Sequence, residues 1–235
     1  MLCLELWYNA VLVLLASYTT DAEVAISAFS ICLNIATWEF MICLGFLVGA
    51  SVRVSNELGR GNAKAAQFSM KVNIVTSGSV GVVFWILCLA FGRKLAYVFT
   101  SDEEVIEEVS NLVVLLAFTI LLNSIQPSQS GVAVGSGRQA KVAWVNIISY
   151  YVIGIPSGVL LAYVAHLGVM GIWIGMLIGR VMQTIWLGFM IWRTDWDEQV
   201  EKASERLNRW FLRKPEDDPD SSAQERLVVT GTGEE

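Results

Sequence analysis

The stretch ASVRVSNELGRGNAKAA, residues 50–66, decides the fold. It breaks a long apolar run with a compact basic turn that carries Gly and Asn. The run closes at Val52, Arg53, Arg60 and Lys64 follow, and a new apolar run begins at Val72. Lys and Arg collect in the cytoplasmic loops of polytopic membrane proteins. The stretch therefore reads as one side of a polytopic membrane protein, where the chain leaves one helix and enters the next.

Composition agrees. Hydrophobic residues make up 54% of the 235 residues and charged ones 16%, against about 25% charged in soluble domains. Mean hydropathy is +0.54. The net charge of −6 misleads as a global number, because from Arg193 onward the chain holds 12 acidic and 7 basic residues. The preceding body is near neutral, so there is no basic face for nucleic acid. Cys3, Cys32, Cys43 and Cys88 lie in apolar runs without metal-ligand spacing and read as buried small hydrophobes. No metal and no organic cofactor is implied.

About 20 apolar residues cross the ~30 Å hydrocarbon core. Spans are expected at 24–52, 72–91, 105–125, 142–164 and 169–192, and the opening run 1–16 is a sixth. At 1.5 Å per residue that run reaches only about 24 Å, so it reads as a span cut short at its front. A signal peptide would need a basic n-region, and Glu5 sits there instead. The expected fold is an all-α integral membrane bundle of six helices over residues 1–192, the first truncated. Residues 193–235 form a tail.

Arg53, Arg60, Lys64, Lys71, Arg138, Lys141 and Arg193 fall on the side where the chain starts, while Arg93 and Lys94 fall opposite. That bias predicts both termini in the cytosol. Small residues four apart (Gly45/Gly49, Gly154/Gly158 and Gly171/Gly175/Gly179) predict close helix approaches. In the tail, Trp196, Val200, Ala203, Leu207 and Trp210 share one face of an amphipathic helix to about residue 212, set on the membrane surface or against the bundle. Beyond Pro215 the composition is that of disorder.

An ionisable residue inside a span is a functional candidate, because leaving it charged in lipid is costly. Glu5 is the sharpest, with Tyr8 and Asn9 at i+3 and i+4 on the same helical face. Glu39 lies mid-span near Asn34 and Thr37. Arg180 lies in the last span with Gln183 and Thr184 nearby; pairing with Glu5, pairing with Glu39, snorkelling and a damaging substitution all remain open. Pro127 frees a backbone carbonyl and predicts a kink. Around it sit Asn123, Ser124, Gln126, Ser128, Gln129 and Ser130, a candidate substrate path since broken polar helices line cavities. Tyr150, Tyr151 and Asn146 are weaker additions to the same cavity.

MLCLELWYNAVLVLLA, SICLNIATWEF, the stretch at 50–66, SGVAVGSGRQ and IWRTDW, in this order, resemble the C-terminal half of plant multidrug and toxic compound extrusion (MATE, DETOXIFICATION) transporters. The resemblance covers residues 1–210. It implies a twelve-helix fold of two six-helix lobes, of which this chain holds helices seven to twelve. It further implies antiport of flavonoids, alkaloids or xenobiotics against protons, in the vacuolar or plasma membrane. Glu5 would be the proton-coupling residue. A partner aspartate of some members falls at Asn123, which cannot titrate; apart from the resemblance, we take Glu39 as the candidate for a second proton-coupling carboxylate. Tyr8, Asn9, Asn34, Asn123, Gln126 and Gln183 would contact substrate. Arg138 stands where an aromatic is usual and Arg180 where a small residue is usual. The partners implied are the lipid bilayer, protons, a small organic substrate, and either an N-terminal lobe or a second copy. The alternative is a truncated fragment that does not transport, or that binds full-length transporters. An enzyme is disfavoured: HExxH and GxSxG are absent, and His166 is the single histidine.

Overall fold

Apolar runs of this length leave the backbone few options, since lipid offers its N–H and C=O groups no partners and only helices satisfy them within one segment. The computed structural model describes residues 2–18 and 22–212. Among these lie α1 (Leu2–Ala16), α2 (Ala22–Gly59), α3 (Ala63–Ala96), α4 (Glu103–Gly135), α5 (Gln139–Val164), α6 (Gly168–Trp192) and α7 (Trp196–Leu212). Helices α2 to α6 are long and apolar enough to cross a membrane, and α1 is a shorter apolar helix. The expected disorder beyond Pro215 lies outside the described residues.

The helices overrun the spans read from hydropathy. The first of these ends not at Val52 but at Gly59, so α2 is 38 residues long, about 57 Å. Lipid stops where the charges begin; the helix continues because those charges suit it. Glu57 lies 3.7 Å from Arg53 and 3.3 Å from Arg60, spacings that support a helix face. Gly61 then turns the chain at φ +76°, and the Asn62 side chain accepts from the Ala65 N–H at 3.0 Å to start α3.

Helix α4 is the central element, packing on α2, α3 and α6. Its polar stretch from Asn123 to Ser130 is buried apart from half-buried Ile125, and the helix runs on through Pro127 to Gly135. One turn before the proline, the Ser124 carbonyl accepts from Ser77 Oγ of α3 at 2.5 Å. Asn73 of α3 donates to Ser128 Oγ at 2.6 Å and to the Phe46 carbonyl of α2 at 3.2 Å. Side chains of α3 thus bond to α4 on both sides of the proline.

The glycine pairs divide. A Cβ on Gly175 would overlap the backbone of Gly158, and one on Gly171 would overlap the Leu161–Ala162 backbone, so α5 and α6 touch main chain to main chain. Gly45 and Gly49, expected to behave the same way, meet nothing within 4 Å. It is α4 that approaches α2 there, through Gly131 against Leu47 and Gly135 against Ser51. Spacing of four creates a flat stripe on a helix without saying which partner takes it.

Helix α5 is widened into π-helical turns over Ile148–Gly154 and Leu160–Val164, with the Ile155 N–H bonding the Tyr150 carbonyl five residues back. Two tyrosines of α5 hold α1: Tyr151 OH donates to the Leu4 carbonyl at 3.0 Å and Tyr163 OH to the Leu15 carbonyl at 2.7 Å. Interhelical hydrogen bonds in membranes contribute about 0.6–2 kcal/mol. Tyr163→Phe is expected to cost about 1 kcal/mol and to speed amide exchange in α1 before other helices. Exchange unchanged in α1 would show that the tyrosine does not anchor it.

Helix α7 takes the second of its two expected positions: Trp196 is buried, Val200 and Ala203 pack with Ala50, Val54 and Leu58, and the helix lies across α2 and α3. Leu207 on the same face is half exposed, and the Trp210 side chain lies outside the described residues.

Candidate functional site

Polar groups buried in an apolar bundle need partners, and the partners here form one connected chain across four helices. Glu5 of α1 and Arg180 of α6 are both buried, with Arg180 Nη1 3.5 Å from Glu5 Oε1. Arg180 also donates to Asn123 Oδ1 of α4. Asn123 in turn lies against the carboxylate of Glu39 from α2. Glu39 Oε1 accepts from Ser124 Oγ at 2.9 Å and from the Cys43 thiol at 2.8 Å. Two carboxylates and one guanidinium are thereby linked through a single asparagine. Arg180 neither snorkels nor pairs directly with Glu39: its contacts are Glu5 and Asn123.

A cavity of about 180 Å³ opens beside this chain. Glu5, Asn9, Thr37 and Arg180 give it a polar edge, and Leu33, Phe40 and Met41 are among its apolar walls. Asn9 Oδ1 and Arg180 Nε are buried atoms without a hydrogen-bond partner among the described residues.

Tyr8 turns away from the cavity. It is fully buried and stacks on Tyr150 at 4.7 Å and 10°, with Tyr151 edge-on at 6.2 Å. Gln183 donates to Asn146 Oδ1 at 2.7 Å, and Gln126 donates to Ser130 Oγ at 3.3 Å. Neither glutamine lines the Glu5 cavity. Asn34 is exposed and donates to the Ser30 carbonyl of its own helix at 2.9 Å. Glu39 lines a different, almost wholly apolar cavity of about 370 Å³ with Trp38, Cys88 and Phe91. The expected single polar cavity is therefore a small chamber at Glu5 plus a buried network behind it.

A family model described as MatE matches residues 1–160. The chain belongs to the MatE family. It is 56% identical over 213 residues to Protein DETOXIFICATION 24 of Arabidopsis thaliana, covering 91% of this chain and 43% of that relative. With Protein DETOXIFICATION 21 of the same plant the identity is 52% over 225 residues, covering 96% and 46%. The crystal structure of the eukaryotic MATE transporter AtDTX14 superposes with a TM-score of 0.80 at 35% identity, covering 87% of this chain and 46% of that one. An outward-facing multidrug resistance MATE family transporter gives a TM-score of 0.70 at 16% identity, over 85% and 43% of the two chains; this likeness speaks for the fold alone. The MatE chain thus spans under half the length of these relatives. It is an all-α integral membrane protein.

Several residues of the MatE chain's network carried no clear signal in the sequence. Cys43 reads there as one of four buried hydrophobes, yet it donates to Glu39, and Cys3 is exposed rather than buried. Ser124 stands in a polar run that makes no distinction between it and Ser128 or Ser130. Arg138, the unusual residue of the α4–α5 turn, donates to the Met190 carbonyl at 3.3 Å and to Thr194 Oγ1 at 2.5 Å. It ties that turn to the end of α6.

Proposed function

We propose that the chain is the C-terminal lobe of a secondary transporter that exchanges organic compounds (flavonoids, alkaloids or xenobiotics) for protons, with Glu5 as its proton-coupling residue and Glu39 as a second. The observation that carries this reading is the buried contact of Glu5 with Arg180 at the edge of a cavity. A proton on Glu5 cancels the charge that holds Arg180. That loosens α1 from α6 and leaves Arg180 to Asn123 and the Glu39 side of the network. Proton binding is thereby converted into a change in helix packing, which alternating access requires. Asn9, which lines the cavity, is the first substrate contact, and Asn123 relays between the two carboxylates. Tyr8 and Gln183 support the site by packing and bonding rather than by touching substrate.

The seven-to-two bias of Lys and Arg puts both termini in the cytosol, with α7 and the remaining tail on that face. Glu104, Glu107 and Glu108 then lie on the opposite face. The membrane is that of the vacuole or the plasma membrane. Transport needs a second lobe, either an N-terminal half or another copy of this chain.

Uptake of a fluorescent flavonoid or organic cation into vesicles under an imposed proton gradient tests the reading. The chain is compared with Glu5→Gln. Uptake that depends on the gradient and is lost in the variant is the expected result. Gradient-driven uptake that survives Glu5→Gln removes Glu5 from the coupling. A folded chain that takes up nothing favours the second reading, a non-transporting piece that needs a partner lobe.

A further inference from the structure

A third cavity, of about 640 Å³, lies between α5 and α6 at the end of the bundle that carries α7. Arg138, Lys141 and Arg193 ring it, and Trp144, Val145, Ile148, Trp186, Phe189 and Met190 complete its lining without an acidic residue. Trp144, Trp186 and Phe189 are exposed on the outer surface of the bundle, where aromatic rings mark the membrane–water boundary. The Arg193 guanidinium sits over the Phe189 ring at 5.5 Å. Arg138 stands at the start of α5 without forming a side-chain cap, so the positive end of that helix is not offset by a capping oxygen. Asp195, the nearest acidic residue along the chain, is engaged instead at the start of α7, accepting from the Asp197 and Glu198 N–H groups.

We propose that this cavity binds an anionic phospholipid, with the phosphate held among Arg138, Lys141 and Arg193 and an acyl chain lying along Ile148, Trp186 and Phe189. Two independent features select this occupant. Three cations with no ion-pair partner among the described residues call for an anion. The apolar, aromatic groove continuing from them toward the middle of the bilayer calls for a hydrocarbon chain on the same molecule. Basic pockets between transmembrane helices take lipid head groups for this reason. The site shares no residue with the Glu5 cavity, so it stands whether or not the chain transports.

Native mass spectrometry of the whole chain released from detergent, titrated with phosphatidic acid or with phosphatidylcholine, tests the proposal. Phosphatidic acid is expected to stay bound at concentrations where phosphatidylcholine does not. Lys141→Gln with Arg193→Gln is expected to weaken that retention about 30-fold, the effect of two basic residues at an anionic surface. Arg138 is kept, because its bonds to Met190 and Thr194 also hold the fold. The pair Arg53→Gln with Lys64→Gln removes equal charge at the same end of the bundle and is expected to leave retention unchanged. Equal retention of phosphatidylcholine overturns the proposal even if no variant folds. So does equal weakening by both variant pairs, which would signify general surface charge. Displacement of phosphatidic acid by equimolar inorganic phosphate overturns it too, since the chain would then contribute nothing.

Discussion

Replacing Gly175 by Leu is expected to leave no folded bundle, while replacing Gly49 by Ala leaves the bundle intact or steadier. Both glycines belong to four-residue spacings, and their surroundings are opposite. At Gly175 even a single added carbon would overlap Gly158 Cα and N, with the Gly154 carbonyl 3.0 Å away. These are backbone atoms of α5 and cannot rotate aside. The helices must separate, which loosens the α5–α6 contact and with it Tyr150, on which Tyr8 of α1 stacks. Overpacking in well-filled interiors costs about 1–3 kcal/mol when side chains can yield; with backbone on the far side the cost is expected to exceed about 3 kcal/mol. Gly49 has nothing within 4 Å, and Ala is favoured over Gly inside a helix by about 0.5–1 kcal/mol. Size-exclusion profiles of solubilised protein after a temperature ramp measure both. Survival of Gly175→Leu at the temperature of the unmodified chain would mean that α5 and α6 are not in backbone contact.

The same contrast shows where sequence reading reached its limit. The spans were legible because apolar runs in lipid have one backbone solution. The turn at 60–62 was legible because Gly and Asn there serve one purpose. Helix ends were not, since α2 continues past Val52 on charge pairs that hydropathy scores as loop. Nor was the partner of each glycine stripe: GVAVG at 131–135 has the same spacing as GFLVG at 45–49, and only the three-dimensional arrangement assigns the close contact to the first. The π-helical turns of α5 left no mark in the residue pattern. Among site residues, Glu5 stood out on desolvation grounds alone. Arg180 stood out equally, but its partner depends on α1 and α6 being neighbours, a fact of the fold rather than of spacing. Asn34 and Gln126 read as site residues because they are polar within apolar runs; each instead bonds a residue four away on its own helix.

Glu5→Gln is expected to destabilise the chain more than Arg180→Gln, although both break the same contact. Removing one partner of a buried ion pair costs about 3–5 kcal/mol, because the other charge is left uncompensated. The two residues differ in how they escape that fate. A carboxylic acid left alone can take up a proton and become neutral; a guanidinium cannot lose its proton in a protein. Glu5→Gln therefore strands a permanent cation at 5% exposure, with Asn123 as its remaining bonded partner and Glu39 beyond. That change is expected to cost about 3 kcal/mol. Arg180→Gln leaves Glu5 free to become neutral and is expected to cost about half as much. The double variant, with two amides able to bond each other, is expected to be less damaged than Glu5→Gln alone, so that restoring neutrality outweighs losing the second native group. Thermal unfolding of the four proteins in one detergent, followed by tryptophan fluorescence, closes the cycle. If Arg180→Gln is the more damaging change, Arg180 acts mainly through its packing and its bond to Asn123. The Glu5 contact would then not be what joins α1 to α6.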